Sequence, residues 1–205
     1  MRQADPIGKV LPDAPQGPGR SDPPNLVLIG FMATGKSSIG RRCARVLGFR
    51  FYDSDQEVVR MAGKPIPEIF AEEGEAAFRS LEAAAIRRLA CLRRIVLATG
   101  GGAALNAVNV ARMRRRGVVV LLQADPQEIL RRARHGAGRP LLEGAADPLE
   151  RICELLHRRR DAYTAAAHAV VDTTGLDLAG AVERVLDAYR ACGGVAVGEP
   201  GEQTQ

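Results

Sequence analysis

Apolar residues along this chain follow two patterns, and their alternation predicts most of the fold. Five short stretches are continuously apolar and rich in β-branched or aromatic residues: NLVLIG, FRFYD, RIVLATGGG, GVVVLLQ and AHAVVDTT. Between them apolar positions recur at intervals of three and four, which predicts helices over residues 36–47, 75–90, 105–116, 126–132, 149–163 and 177–189. A strand that is apolar at every residue keeps no face for water, so such strands belong to a parallel sheet with helices on both sides. The expected architecture is an α/β fold, a three-layer doubly wound sheet of about five parallel strands.

The pattern fades at both ends. Residues 1–25 hold six of the twelve prolines and no periodic apolar positions, and read as a disordered Pro/Gly-rich leader. The Gly-rich stretch 191–205 reads as a flexible tail after the last helix. One domain at residues 26–190 remains, a length that suits a single core. No internal repeat interrupts it.

Composition narrows the setting. With 46% hydrophobic and 26% charged residues the chain is ordinary for a globular protein, and no apolar run approaches the about 18 residues of a membrane span. The start lacks a secretion signal, and Asp5, Asp13 and Asp22 argue against an acid-poor transit peptide, so a cytoplasmic location is expected. Cys43, Cys91, Cys153 and Cys192 form no C-x-x-C pair and have no histidine at ligand spacing; they read as buried reduced thiols. His135, His157 and His168 follow no catalytic spacing and read as surface or core residues. A net charge of +5 admits an anionic partner, either a phosphorylated small molecule or a nucleic acid.

The charge is carried by 26 arginines and only three lysines, Lys9, Lys36 and Lys64. Lys36 lies in IGFMATGKSSIG, where Gly30, Gly35, Lys36 and Ser37 match G-x-x-x-x-G-K-[ST] between a predicted strand and a predicted helix. Glycines let successive backbone N–H groups close around a phosphate while the following helix directs its positive end at it. A compact ammonium follows the β- and γ-phosphates in a narrow loop better than a broad guanidinium does. Ala33, Thr34, Gly35, Lys36, Ser37 and Ser38 are the expected ATP contacts, with the Ser37 hydroxyl also a ligand for Mg²⁺. Ala33 fits such a loop only at negative φ.

The loop fixes the nucleotide and leaves the acceptor open. The second strand ends in FYDSDQE, and in an extended chain Asp53 and Asp55 would face the same side, at the carboxyl end of the sheet. One carboxylate could hold a magnesium-bound water and the other orient a substrate hydroxyl; helix capping by Ser54 or Asp55 is the competing use. Arg79 and Glu82 lie three apart on one helix face, at the spacing of a surface ion pair. Gly100, Gly101 and Gly102 end the third strand without side chains, which leaves the backbone open to a ligand. RRARHGAGRPLLEG, between two helices, has the make-up of a mobile lid, placed at about residues 133–148.

These pieces, in order and spacing from about Asn25 to Tyr189, resemble shikimate kinase: phosphate loop, D-x-D, F-R-x-x-E, G-G-G-A, R-P-L-L and a late R-x-x-x-Y. The resemblance implies transfer of the ATP γ-phosphoryl group to the 3-hydroxyl of shikimate, on the route to aromatic amino acids, by a monomer that binds neither nucleic acid nor membrane. It assigns Asp55 to the acceptor hydroxyls as base, Asp53 with Ser37 to Mg²⁺, and Arg79 and Arg159 to the acceptor carboxylate. The residues at 100–102 become acceptor contacts through Gly101, Arg139 a lid arginine on the phosphates, and Arg132 a neighbour of adenine. Leu176 departs from the resemblance, standing where some relatives have an adenine-facing arginine. Arg159 is chosen over Arg158 and Arg160 because it lies one helical turn before Tyr163. Two other readings compete: a kinase of another polyol acid such as gluconate, and an idle nucleotide- or nucleic-acid-binding module drawn from the arginine clusters.

Overall fold

The computed structural model describes residues 9–10, 23–134 and 147–194. Its strands are β1 (Lys9–Val10), β2 (Asn25–Gly30), β3 (Arg50–Asp53), β4 (Ile95–Ala98), β5 (Gly117–Gln123) and β6 (Ala169–Asp172). The helices are α1 (Lys36–Leu47), α2 (Ser54–Ala62), α3 (Ile66–Glu72), α4 (Gly74–Leu89), α5 (Ala107–Arg116), α6 (Pro126–Arg134), α7 (Pro148–Ala166) and α8 (Leu178–Ala191), with a 3₁₀ turn at Ala103–Leu105. One sheet runs in the order β1-β6-β5-β2-β4-β3. Strands β2 to β6 are mutually parallel, as their apolar runs require.

Burial follows the two-residue period of a strand. Leu26 and Leu28 of β2, with Val118, Val120 and Leu122 of β5, pack against Ile39 and Cys43 of α1 and Val185 and Tyr189 of α8. Val27, Ile29, Val119 and Leu121 point the other way, onto Ile86 and Leu89 of α4, Met113 of α5 and Ile152 and Leu155 of α7. Each Leu or Ile so buried contributes about 2 kcal/mol, which makes the two layers the main source of stability. A third cluster, Val58, Ile69, Phe78 and Ala85, joins α2, α3 and α4 into a lobe beside the sheet. The short α2 and α3 were not among the predicted helices: a helix start at Ser54 or Asp55 entered only as the competing use of FYDSDQE, and neither helix is long enough to show its period plainly.

The sheet carries a sixth strand that the apolar pattern did not indicate. Lys9 and Val10, within the stretch read as a leader, pair antiparallel with Val170 and Ala169 on the border of β6. At the opposite border, guanidinium groups lie over aromatic rings, Arg41 on Phe51 and Arg50 on Tyr52. Among the cysteines, Cys43 and Cys192 are buried as expected, but Cys91 and Cys153 are exposed, the first in the turn after α4 and the second on α7, lining a cleft with Phe31 and Thr34. His168 is buried and its Nδ1 accepts the Val119 N–H at 2.9 Å, a core role; His157 is exposed, and His135 lies outside the described residues. No helix is long and apolar enough to cross a membrane among the described residues.

β2 lies between β4 and β5, where the chain's path switches from one half of the sheet to the other. In such sheets ligands bind beyond the carboxyl ends of the strands at the switch. The loops after β2, β3 and β4 meet there.

Candidate active site

The loop between β2 and α1 is shaped by its backbone. Gly30 has φ 136°, and a Cβ there would collide with the Leu122 carbonyl of the neighbouring strand. Gly35, at φ 94°, is the residue from which α1 departs. The buried Thr34 hydroxyl donates to the Phe31 carbonyl at 2.8 Å and braces the turn. Lys36 is 9% exposed, and its Nζ donates to the carbonyls of Gly30 at 2.9 Å and Phe31 at 2.6 Å. Ser37 and Ser38 are exposed on the first turn of α1. Ala33 corrects an expectation: its φ is 59°, in the left-handed region and not negative. A Cβ there costs about 1 kcal/mol, and alanine presents the smallest side chain that can meet that cost.

The D-x-D pair is arranged differently from an extended strand. Asp53 ends β3 and N-caps α2, its Oδ1 accepting from the Asp55 N–H at 3.0 Å and the Gln56 N–H at 3.4 Å. The cap is therefore Asp53, not Ser54 or Asp55, and Asp55 lies in the first helical turn. The other Asp53 oxygen, Oδ2, accepts from the Ser37 hydroxyl at 2.7 Å. A hydroxyl and a carboxylate oxygen in contact, at the edge of a phosphate loop, are the sparse oxygen donors that suit Mg²⁺, which keeps waters and phosphate oxygens for its other positions. Among the described residues no group of three or more His, Cys, Asp or Glu gathers as a self-sufficient metal cage.

Ser54, Asp55, Arg79, Glu82 and Arg159 converge on residues 100–102. The Ser54 hydroxyl accepts from the Gly100 N–H at 2.8 Å. A Cβ on Gly100 would run into Asp55 Oδ1 and would lie 3.2 Å from Glu82 Oε1; one on Gly102 would run into the Arg79 guanidinium. Over Gly101 the same position is 3.7 Å from Gly30 O and Met32 N of the phosphate loop and 3.8 Å from Arg159 Nη1. The glycines thus leave room for charged groups from three other helices, α2, α4 and α7, to close around one space.

Charge in this space is incompletely matched. Arg79 donates to Glu75 Oε1 at 2.9 Å and to Glu82 Oε2 at 3.1 Å. Asp55 Oδ1 and Glu82 Oε1 are buried without a hydrogen-bond partner. Burial, then the nearby Asp53 and Glu82 carboxylates, pushes the Asp55 carboxyl up to about 6, against the pull of Lys36 and Arg79. Burial also raises Glu82, with the Arg79 guanidinium opposing it. A carboxylate held this way is a better proton acceptor than a free one and is still ionised at neutral pH.

Arg159 stacks over the Phe31 ring, 5.5 Å from its centroid, while its neighbour Arg158 pairs with Glu154 on the outer face and Arg160 is exposed. Arg132 is fixed at its edges: Nε donates to Glu128 at 2.7 Å, and Nη1 and Nη2 donate to Thr173 Oγ1 at 3.0 Å and Thr173 O at 2.8 Å. Thr173 also donates to the Gln123 carbonyl at 2.9 Å, so Arg132 is tied to the ends of β5 and β6 beside the phosphate loop. Leu176 packs against the core under α8. Arg139 and residues 135–146 of the expected lid lie outside the described residues.

Sequence reasoning missed Ser54 and Thr173 as organisers of the site, and saw Glu82 only as an ion-pair partner and Tyr163 only as a register mark. The F-R-x-x-E spacing carried the signal for Glu82. A lone Thr after a strand carries none.

Known proteins place this geometry in a family. The shikimate kinase family model matches residues 32–190. A shikimate kinase from Desulforudis audaxviator is 46% identical over 178 residues, 87% of this chain and 93% of its own. The structure of shikimate kinase from Acinetobacter baumannii in complex with shikimate superposes with a TM-score of 0.78 at 36% identity, over 82% of this chain and 93% of that one. A gluconokinase from Sinorhizobium meliloti, 22% identical with a TM-score of 0.58 over 85% of this chain and 95% of its own, shares the fold alone. Phosphate loop, capped aspartate and glycine-walled charge cluster, together with matches that span most of the chain, establish that this protein belongs to the shikimate kinase family.

Proposed function

We propose that Asp55 orients the 3-hydroxyl of shikimate and accepts its proton, that Arg79 and Arg159 hold the acceptor carboxylate, and that Lys36 follows the ATP phosphates. The reaction is that of the family: the hydroxyl oxygen bonds to the γ-phosphorus, the bond from that phosphorus to the β,γ-bridging oxygen breaks, and ADP leaves. The observation that carries the reading is the contact of the two halves at Gly101, whose open Cβ position lies 3.7 Å from Gly30 O and Met32 N and 3.8 Å from Arg159 Nη1. A phosphate on the loop and an acid on the arginines would then be neighbours, and alignment of that kind is most of what phosphoryl transfer needs.

Each residue's part follows from its surroundings. Lys36 exchanges its loop carbonyls for phosphate oxygens, a change from neutral to charged acceptors that strengthens its bonds. Two planar guanidinium forks match a carboxylate. Asp55 Oδ1 is packed against Gly100, and the surface that half-buried Asp55 keeps is where a substrate hydroxyl would bond. Ser37 and Asp53 would hold Mg²⁺, which when bound neutralises charge on the β- and γ-phosphates. Arg132, its edges engaged by Glu128 and Thr173, offers adenine its flat face. Arg139 is assigned to the phosphates by its R-P-L-L motif. The working unit is read as a monomer on the family resemblance. The exposed thiols Cys91 and Cys153 suit a reducing cytoplasm.

Purified protein incubated with ATP, Mg²⁺ and shikimate should yield a shikimate species heavier by one phosphoryl group in mass spectrometry. Phosphorylation of gluconate with none of shikimate would overturn the acceptor assignment.

A further inference from the structure

Tyr163 lies one turn beyond Arg159 on α7 and is 4% exposed. Its hydroxyl donates to the Gly101 carbonyl at 2.6 Å, a bond between residues 62 positions apart in the chain. Burial raises the phenol above its usual range, with the Arg159 guanidinium beside it opposing the shift, so the hydroxyl remains a donor throughout the neutral range. No peptide bond among the described residues is cis, and in a planar trans peptide the carbonyl and the N–H point in opposite directions. With the Gly101 carbonyl turned to Tyr163, the N–H of the same peptide, that of Gly102, is turned away from α7. Neither the Gly101 nor the Gly102 N–H meets a protein acceptor among the described residues. Both border the space shared by Asp55, Arg79 and Arg159.

We propose that Tyr163 is a positioning residue of the acceptor site: its hydroxyl locks the peptide between Gly101 and Gly102 so that the amide faces the acceptor, and holds α7 at the pitch that brings Arg159 to the same ligand. This rests on the acceptor assignment above. Without side chains residues 100–102 have little to hold one backbone orientation, and Tyr163 supplies the restraint from the helix that carries Arg159. The ligand is thereby met by an amide and a guanidinium in fixed relation, and the hydroxyl itself touches no substrate.

The test is Tyr163→Phe, which keeps the ring and removes the bond. The amide contact exists in both ground and transition states, so the loss should fall on the acceptor KM, raised about tenfold, with the ATP KM unchanged and kcat little affected. Combined with Arg159→Lys, the two losses in kcat/KM for shikimate should multiply to less than the product of the single effects, because both act on one ligand. An unchanged acceptor KM, or equal rises in the KM of ATP and shikimate, would mark Tyr163 as a mere core residue and overturn the proposal. Should the Phe variant fail to fold, the wild-type protein still decides: in a ¹⁵N spectrum titrated with shikimate, the Gly102 amide should shift with the occupancy of the site. Perturbation of the Arg79 and Arg159 signals with no response at Gly102 would sink the idea. No binding or turnover of shikimate by the wild type would instead indict the acceptor assignment itself.

Discussion

At the nucleotide end of the cleft, Lys36 is held by two carbonyls of its own loop and Ser37 by Asp53, whose second oxygen caps a helix. At the acceptor end, Asp55 Oδ1 and Glu82 Oε1 are buried with no partner. Both regions hold a cation already bonded within the protein, Lys36 to two carbonyls and Arg79 to Glu75 and Glu82, but the second also holds buried carboxylate oxygens without partners. Buried polar atoms without partners cost about 1–3 kcal/mol each. Asn109 Oδ1 on α5 bears the same cost, and within the cleft it falls on the part that chooses the acceptor and not on the phosphate cradle.

The largest blow to the nucleotide end is Lys36→Ala. It should lower kcat by about 10⁴-fold through loss of charge compensation while circular dichroism shows the fold retained; turnover within tenfold of wild type would remove Lys36 from the mechanism. Asp55→Asn strikes the other end and should lower kcat by about 10³-fold. The wild-type kcat/KM should fall as pH drops through about 6, where the Asp55 carboxyl takes up a proton. Stability should move in the opposite sense. The folded state binds this proton more tightly than the unfolded chain, so wild-type stability declines as pH rises from the ordinary carboxylate range through about 6. Asp55→Asn removes that decline and should stabilise the metal-free protein at pH 7.5 by about 2 kcal/mol, measured by urea unfolding; an equal or lower midpoint would show that the carboxylate is not strained.

Arg79→Ala sharpens the contrast within the acceptor end. It should raise the shikimate KM by about 100-fold with a smaller change in kcat, since its contact is present before and during reaction; an unchanged KM would contradict the assignment. The smallest effect belongs to Ala33→Gly, which relieves the left-handed backbone at the nucleotide end. A rise of about 2–4 °C in Tm is expected, and a fall would show that alanine is accommodated without strain.

The same contrast explains what could be read in advance. A phosphate cradle is local: a strand, eight residues and a helix contain it, so the positions of Gly30, Gly35, Lys36 and Ser37 sufficed. The acceptor space is assembled from three helices and the glycine turn after β4, and only likeness to a family linked Asp55, Arg79 and Arg159 before their contacts were known. Bonds made through tertiary approach alone, such as Ser54 to Gly100 or Arg132 to Thr173, leave no periodicity. Strand apolarity gave five of the six strands, because burial on both faces dictates composition. β1 was missed because two residues have no period, and Ala33 was misjudged because composition does not report φ.

The pairing of Lys9 and Val10 with β6 changes what a passing extended peptide would meet. A parallel sheet with bare margins invites strand addition and, from there, fibrils. Here one margin is partly stitched shut by the chain's own beginning, laid against the grain of the sheet, and the other is screened by cations resting on rings. Both margins are thus occupied by segments that take no part in moving a phosphoryl group.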